Sequence, residues 1–435
     1  MTGGSRWRAR LRASLADTRP LADPHFRRLW QANIVTVIGA QLTVVAVPLQ
    51  IYSLTGSSAY VGLAGVFGLV PLLVFGLWGG AIADAVDKRL LLGITTAGLI
   101  GTALLFWVQA LLGGDVWVLL GLFALQQAFF AVNQPTRSAL LPQILPADLL
   151  ASAQALSFTV MMAGAIVGPL MAGVLIPVIG YAWLYFLDAV TLLATAYAVI
   201  RLPALPPVSG VRGPAGWKQV AEGLVYLRTQ PVLMMSFVVD LVAMVFGMPR
   251  ALFPEIAAET FDGPSEGGLI SAMLFAAIPV GAVLGGVFSG WVSRISRQGL
   301  AVVACVLVWG AAIVGFGLCI ALAPRAPVPL LVGALAFLAV GGAADVASAA
   351  FRSAILLNAA DEAVRGRLQG VFTVVVAGGP RVADVAHGAS AAAVGTAAAA
   401  TGGGVLVIVG TVIAAIAVPS FVRYRVTAAP RPGGR

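Results

Sequence analysis

Lysine, histidine and cysteine are almost missing from this chain, with two of each in 435 residues. Asp87 precedes Lys88 and Trp217 precedes Lys218, so no Gly-Lys pair exists to build a phosphate-binding P-loop. His25 and His387 come without an HExxH helix, a GxSxG elbow or a CxxC pair. No constellation for metal or nucleophilic catalysis can be assembled, which argues against an enzyme, a bound metal or a cofactor. Cys305 and Cys319 fall on one predicted helix, about 21 Å apart along its axis, too far to bridge. Charge is scarce too, at 10% of residues against about 25% in ordinary globular proteins. Polarity nowhere alternates residue by residue over ten-residue segments, which excludes a membrane β-barrel.

What is abundant is apolar residue, 60% of the chain, with a mean hydropathy of +0.98. The apolar runs match the roughly 20 residues with which a helix crosses a bilayer. Spans are expected near 31–54, 61–83, 90–112, 116–136, 151–177 and 181–200, then near 232–253, 267–291, 299–322, 328–350, 368–392 and 402–422. The expected fold is all-α and integral to the membrane, with twelve transmembrane helices in two six-helix halves. The span around "GGPRVADVAHG" is the least hydrophobic of the set.

Lys and Arg collect on the cytoplasmic side of membrane proteins. With twelve spans and an inside N-terminus, 23 of the 26 fall in cytoplasmic segments, leaving only Arg250, Arg325 and Arg381. The net charge of +9 is thus a topology signal rather than a nucleic-acid footprint. The reading is a multi-pass protein of a bacterial plasma (inner) membrane with both termini cytoplasmic. Residues 1–30 form a basic arm suited to anionic headgroups, and 31–201 the N-terminal half. A Pro/Gly-rich linker, 202–230, ends in a short amphipathic helix over 217–227; the C-terminal half is 231–424 and the tail 425–435.

The midpoint linker invites a search for repeats. "RSALLPQILPADLLASAQAL" from Arg137 and "RSAILLNAADEAVRGRLQGV" from Arg352 both open on Arg-Ser-Ala and both place Gln at the same offset, Gln154 and Gln369. Two parallel halves, repeated at a cytoplasmic loop, is the arrangement of one large transporter class.

"GGAIADAVDKRLLL" then stands out, because it packs Asp84, Asp87, Lys88 and Arg89 into six positions of an apolar chain. It resembles the signature of the major facilitator superfamily between helices two and three, with Gly80, Ile82, Ala83, Asp84, Lys88 and Arg89 in register. The resemblance implies a cytoplasmic gate of Gly80, Asp84, Lys88 and Arg89, with Arg137 as the expected partner of Asp84 and Arg352 as its repeat. Ala85 and Asp87 depart from the pattern, where the family usually has Arg and Gly. "GAIVGPLMAGVL" resembles the exporter motif of the same superfamily through Gly164, Gly168, Pro169 and Gly173. Glycines at i and i+4 let helices approach closely, and Pro withdraws a backbone donor. "LFAAIPVGAVLGGVFSG", "RGRLQGVFT", "RALFPEIA" and "HFRRLWQANIV" are similar to the enterobactin-exporter branch, which handles siderophores and drugs.

The expected function is therefore proton-coupled export of a siderophore-like or drug-like amphipathic small molecule by alternating access. Its partners are that substrate, protons and the lipid bilayer, with no nucleic acid and a monomeric state. A non-transporting receptor of the same fold, and an importer or facilitator, remain as alternatives. Coupling and substrate residues are sought among intramembrane polar groups, because each is costly there unless paired or wetted. The candidates are Gln41, Asp188, Asp240, Arg250, Arg381 and Asp384. Arg250 is expected near the outer face, Asp345 to latch Arg352 two turns along one helix, and Arg381 to hold Asp384 ionised.

Overall fold

The computed structural model describes residues 17–206, 216–359 and 365–425, and among them every regular element is helical. The first four spans are α1 (Pro24–Thr55), α2 (Ser58–Ala85), α3 (Lys88–Leu111) and α4 (Val116–Ile144). Helix then runs over Leu150–Ile200 with a break at Gly180, whose φ of 73° and ψ of 173° only glycine adopts readily. Its arms are α5 (150–179) and α6 (181–200). After α7 (Gly216–Thr229) come α8 (Pro231–Gly247), α9 (Leu269–Val287), α10 (Gln298–Leu322), α11 (Pro327–Ala359), α12 (Arg365–Val394) and α13 (Thr396–Ala417).

Ten described stretches are long and apolar enough to cross a membrane, and one of them, Ala147–Ile200, holds both α5 and α6. α12, eleventh in chain order, brings the number of spans to twelve; it is long enough but more polar because it carries Arg381, Asp384 and His387. It tolerates those groups because α2 and α8 cover it, which removes them from lipid. Since twelve spans alternate, the chain enters and leaves on one side, the terminal side; the opposite one is the far side.

Much of the scarce acid goes to helix starts. Asp23, Asp87 and Asp115 cap α1, α3 and α4 by accepting from backbone N–H groups two and three residues on, worth about 1 kcal/mol each. Asp87 also accepts from Leu205 N at 3.2 Å. It thereby ties the segment after α6 to the α2–α3 turn, a structural use for an acid the signature does not contain. Asp17 accepts from Arg19 and Ser152; those bonds hold its carboxyl well below the usual carboxylate range and pin the root of the N-terminal arm to the start of α5.

Within the N-terminal half, α1 lies against α5 and α6, α2 against α4, and α3 against α4 and α6. In the C-terminal half α10 packs on α11 and α13, α9 on α11, and α8 on α13. The halves meet chiefly where α2 lies on α12 and α5 on α9. α7 touches α12, α2 and α8, and so spans both halves.

Several expected boundaries move. α4 continues to Ile144 and α11 to Ala359, so Arg137 and Arg352 sit on helices and not in the loops where the repeat placed them. The last span covers Thr396–Ala417 instead of 402–422, because Gly395 at φ 82° opens the helix ahead of an Ala/Gly run that carries no strong hydrophobic signal. α8 stops at Gly247; a short turn Arg250–Leu252, a helical turn Phe253–Glu255 and a π turn Ile256–Thr260 follow it.

Candidate functional site

A cavity of about 60 Å³ lies between the halves. The N-terminal half supplies Val44, Val47 and Pro48 from α1, Val61 and Ala64 from α2, and Phe123 from α4; the C-terminal half supplies Arg250, Ala251, Phe275 from α9, and Arg381 and Asp384 from α12. Its charged lining is two guanidinium groups and one carboxylate. Arg381 Nη1 stands 3.9 Å from Asp384 Oδ2 one turn along α12, and its guanidinium lies 5.2 Å from the Phe123 ring centroid, within cation–π range. The lining thus carries a net positive charge in otherwise apolar surroundings, whose low dielectric strengthens its field.

Glycines on α2 bring that charged turn into place. A Cβ on Gly62 would stand 2.5 Å from the backbone oxygen of Asp384, and one on Gly65 would strike the backbone oxygen of Arg381. Arg250 reaches the cavity because α8 ends early. Met248 and Pro249 interrupt the helix just before it, and its neighbours in the cavity include Val61, one turn into α2.

A second ionic cluster is internal to the C-terminal half. Arg352 Nη1 stands 2.7 Å from Asp240 Oδ1, both side chains being buried, 4% and 1% exposed. Among the described residues neither Asp240 oxygen accepts a hydrogen bond of regular geometry, so the attraction is coulombic. Arg352 also donates to Ser348 Oγ at 3.3 Å. Asp345, the expected partner of Arg352, is farther away at 3.9 Å. Two helical turns separate the two by about 10.5 Å along the axis, while Asp240 faces Arg352 from the neighbouring α8.

Arg137 donates from Nη2 to Leu29 O at 3.3 Å. Lys88 is buried, and Arg89 Nη2 donates to Ile200 O at 2.8 Å. Gly80 and Asp84 fall on α2, and the surroundings of Gly80 and the Asp84 side chain lie outside what is described. Gly164 and Gly168 face Val37 and Gln41 of α1, and Gly173 faces Ala272 and Gly268 across the half interface; Pro169 is buried beside them. The Gln41 side chain therefore starts against α5, and Gln41 does not line the cavity. Asp188 is buried between α6 and α1, where Thr43 Oγ1 donates to its Oδ2 at 2.5 Å.

Sequence reasoning missed a group on the far side. The Tyr52 hydroxyl donates to Glu259 Oε1 at 2.7 Å, Ser58 N donates to Glu255 Oε2 at 3.2 Å, and the Tyr181 hydroxyl donates to Glu266 O. "RALFPEIAAET" offered the only signal, an acid pair beside Pro after an apolar run.

The profile of the transmembrane secretion effector family matches residues 15–428. The chain belongs to that family. Curated relatives include the enterobactin exporter EntS of Shigella boydii serotype 18, 28% identical over 80% of this chain and 81% of its own length. EntS of Escherichia coli O157:H7 is 27% identical with the same coverage. Among solved structures, an inward-facing, unoccupied bacterial homolog of the human lysosomal transporter Spinster superposes with a TM-score of 0.68, at 14% identity over 95% of this chain and all of that one. A D-xylose-proton symporter gives a TM-score of 0.69, at 11% identity over 89% of this chain and 96% of its own. The fold is that of the major facilitator superfamily, and this member of the secretion effector family is an exporter-type membrane transporter, not an enzyme.

Proposed function

We propose that this transporter couples proton entry to the export of an anionic, amphipathic, siderophore-like or drug-like molecule across the bacterial inner membrane. The observation that carries the reading is the cavity between the halves, where Arg250, Arg381 and Asp384 face apolar and aromatic walls. Arg250 and Arg381 stand beside Asp384 and favour its charged form. An anionic substrate that binds Arg381 and Arg250 withdraws this support, and the desolvated carboxylate then takes up a proton. Substrate binding and protonation are therefore linked through Arg381, each raising the affinity for the other, and coupled transport requires such a linkage. Phe123 and Phe275 give the apolar part of the substrate a surface to stack on. The relatives named for enterobactin export support a siderophore-like cargo, and the basic residues support a cytoplasmic terminal side. The Asp84 carboxylate, with Arg137 as partner, serves as the cytoplasmic gate, and the exporter glycines close α5 onto α1 and α9. The working unit is the monomer, since the cavity takes its walls from both halves of one chain.

Asp384→Asn in proteoliposomes decides the coupling. Uphill efflux driven by a pH gradient is lost while downhill exchange continues. Full uphill transport by that variant refutes the coupling role, and binding of cationic rather than anionic compounds by the parent refutes the substrate class.

A further inference from the structure

Three hydrogen bonds join the halves at the far side, and all three end on the irregular stretch of chain between α8 and α9. Between the end of α8 at Gly247 and the start of α9 at Leu269, the backbone passes through a short 3-10 turn, a helical turn and a π turn. Phe253, Pro254, Ile256 and Ala257 of this stretch are nonetheless buried. Non-α backbone persists at a membrane protein's interior only where protein covers it, and π turns concentrate where helices do functional work. The stretch begins with Arg250 of the central cavity and carries Glu255 and Glu259 one turn apart at the rim.

Both carboxylates reach across to the opposite half. Glu255 accepts from Ser58 N, the first residue of α2, so a side chain of one half caps a helix of the other. Such a carboxylate also meets the positive end of the helix dipole. Glu259 accepts from Tyr52, near the end of α1. Ser58 and Tyr52 are buried, while Glu259 is exposed to water. A carboxylate at the rim, once released, is resolvated, so each bond is worth roughly a factor of ten or less in the equilibrium between shut and open. A latch of this kind holds two rigid bodies together and still releases them, whereas an apolar seal of equal area holds them in one state.

We propose that residues 248–260 form the far-side gate of this transporter, with Glu255 and Glu259 as the latch that closes onto the α1–α2 turn. The site and the gate then belong to one short element, so displacement of Arg250 is felt at the latch without passing through a long helix. The latch does not depend on the identity of the coupling carboxylate or of the substrate. An Asp384→Asn variant that keeps uphill transport overturns the coupling reading and leaves the gate standing.

The test is a distance measurement on the ligand-free protein in lipid nanodiscs. Spin labels go on Leu112→Cys and Val394→Cys, far-side positions in opposite halves that are 81% and 61% exposed, with Cys305→Ala and Cys319→Ala as background. The parent gives one dominant short distance. Glu255→Gln with Glu259→Gln raises the population at longer distance about tenfold, and Tyr52→Phe, which removes one hydroxyl and nothing else, raises it a few-fold. Superimposable distributions for the parent and both variants overturn the gate. Should the double variant fail to fold, Tyr52→Phe decides by itself: a raised long-distance population upholds the gate, and an unchanged one overturns it.

Discussion

A methyl group on Gly388 should push the far side open. The Cβ of Gly388→Ala would stand 2.5 Å from Ser58 O, 2.8 Å from Gly62 Cα and 3.0 Å from Gly62 N. All three atoms are backbone, so no side chain can rotate out of the way, and α2 and α12 must separate. Overpacking of this degree costs about 1–3 kcal/mol. The cost falls only on the shut state, because the two helices belong to different halves and part when the far side opens. At about 1.4 kcal/mol per factor of ten, the open population rises roughly 5- to 150-fold. A conformer populated at about 1% before the substitution rises to between about 5% and about 60%. The spin-label pair at 112 and 394 reads the shift directly. Melting in lipid changes less than for an ordinary overpacked core, since opening relieves the strain. Gly62→Ala strikes the same contact from the other side, so the two substitutions together fall short of additive. An unchanged distance distribution with a lowered melting temperature would falsify the reasoning, because it would mean that the contact is static.

Two further substitutions test the same architecture. Gly168→Ala drives a Cβ into Gln41 of its own half, so it should lower the melting temperature while leaving the far-side distance unaltered, the opposite pattern to Gly388→Ala. Arg352→Gln strands the buried Asp240 carboxylate and should cost about 3–5 kcal/mol, read as loss of folded protein in a detergent melt; Asp240→Asn with Arg352→Gln should recover much of that loss, and a double variant no better than the single one would refute the pairing.

The membrane fold was legible because it is written in long apolar runs, and even its weakest span was placed. α12 reads poorly since it spends hydropathy on Arg381, Asp384 and His387, and only packing under α2 and α8 explains how the bilayer tolerates them. Depth was less legible. Arg250 was assigned to a rim by counting rise along a single helix, and counting could show neither the break after Gly247 nor the cavity that Arg250 lines. Pairings were least legible. Sequence spacing offered Asp345 to Arg352 because both lie on one helix, whereas the closer carboxylate comes from α8, more than a hundred residues earlier. Glu255 and Glu259 left only a weak local trace, an acid pair beside Pro after an apolar run, and nothing that named their partners: Ser58 and Tyr52 are about two hundred residues away and in the other half. Charges that act within a helix leave a periodic trace, and charges that act between rigid bodies leave none.

That distinction also ranks the carboxylates. Asp188 is enclosed by α1 and α6, and Asp240 by α8 and α11; each lies inside one half and travels with it as the halves rock. Its neighbours, and hence the free energy of protonating it, are nearly the same in both conformations. Asp384 is different: it borders a cavity walled by both halves, with Val61 and Ala64 of α2 on one side and Arg250 and Arg381 on the other. When the halves part, water and counter-charge around it change together. A proton can drive a conformational cycle only by binding one conformer more tightly than the other. Of these three intramembrane acids, Asp384 is the one that borders the cavity between the halves, and the proposed coupling rests on that position.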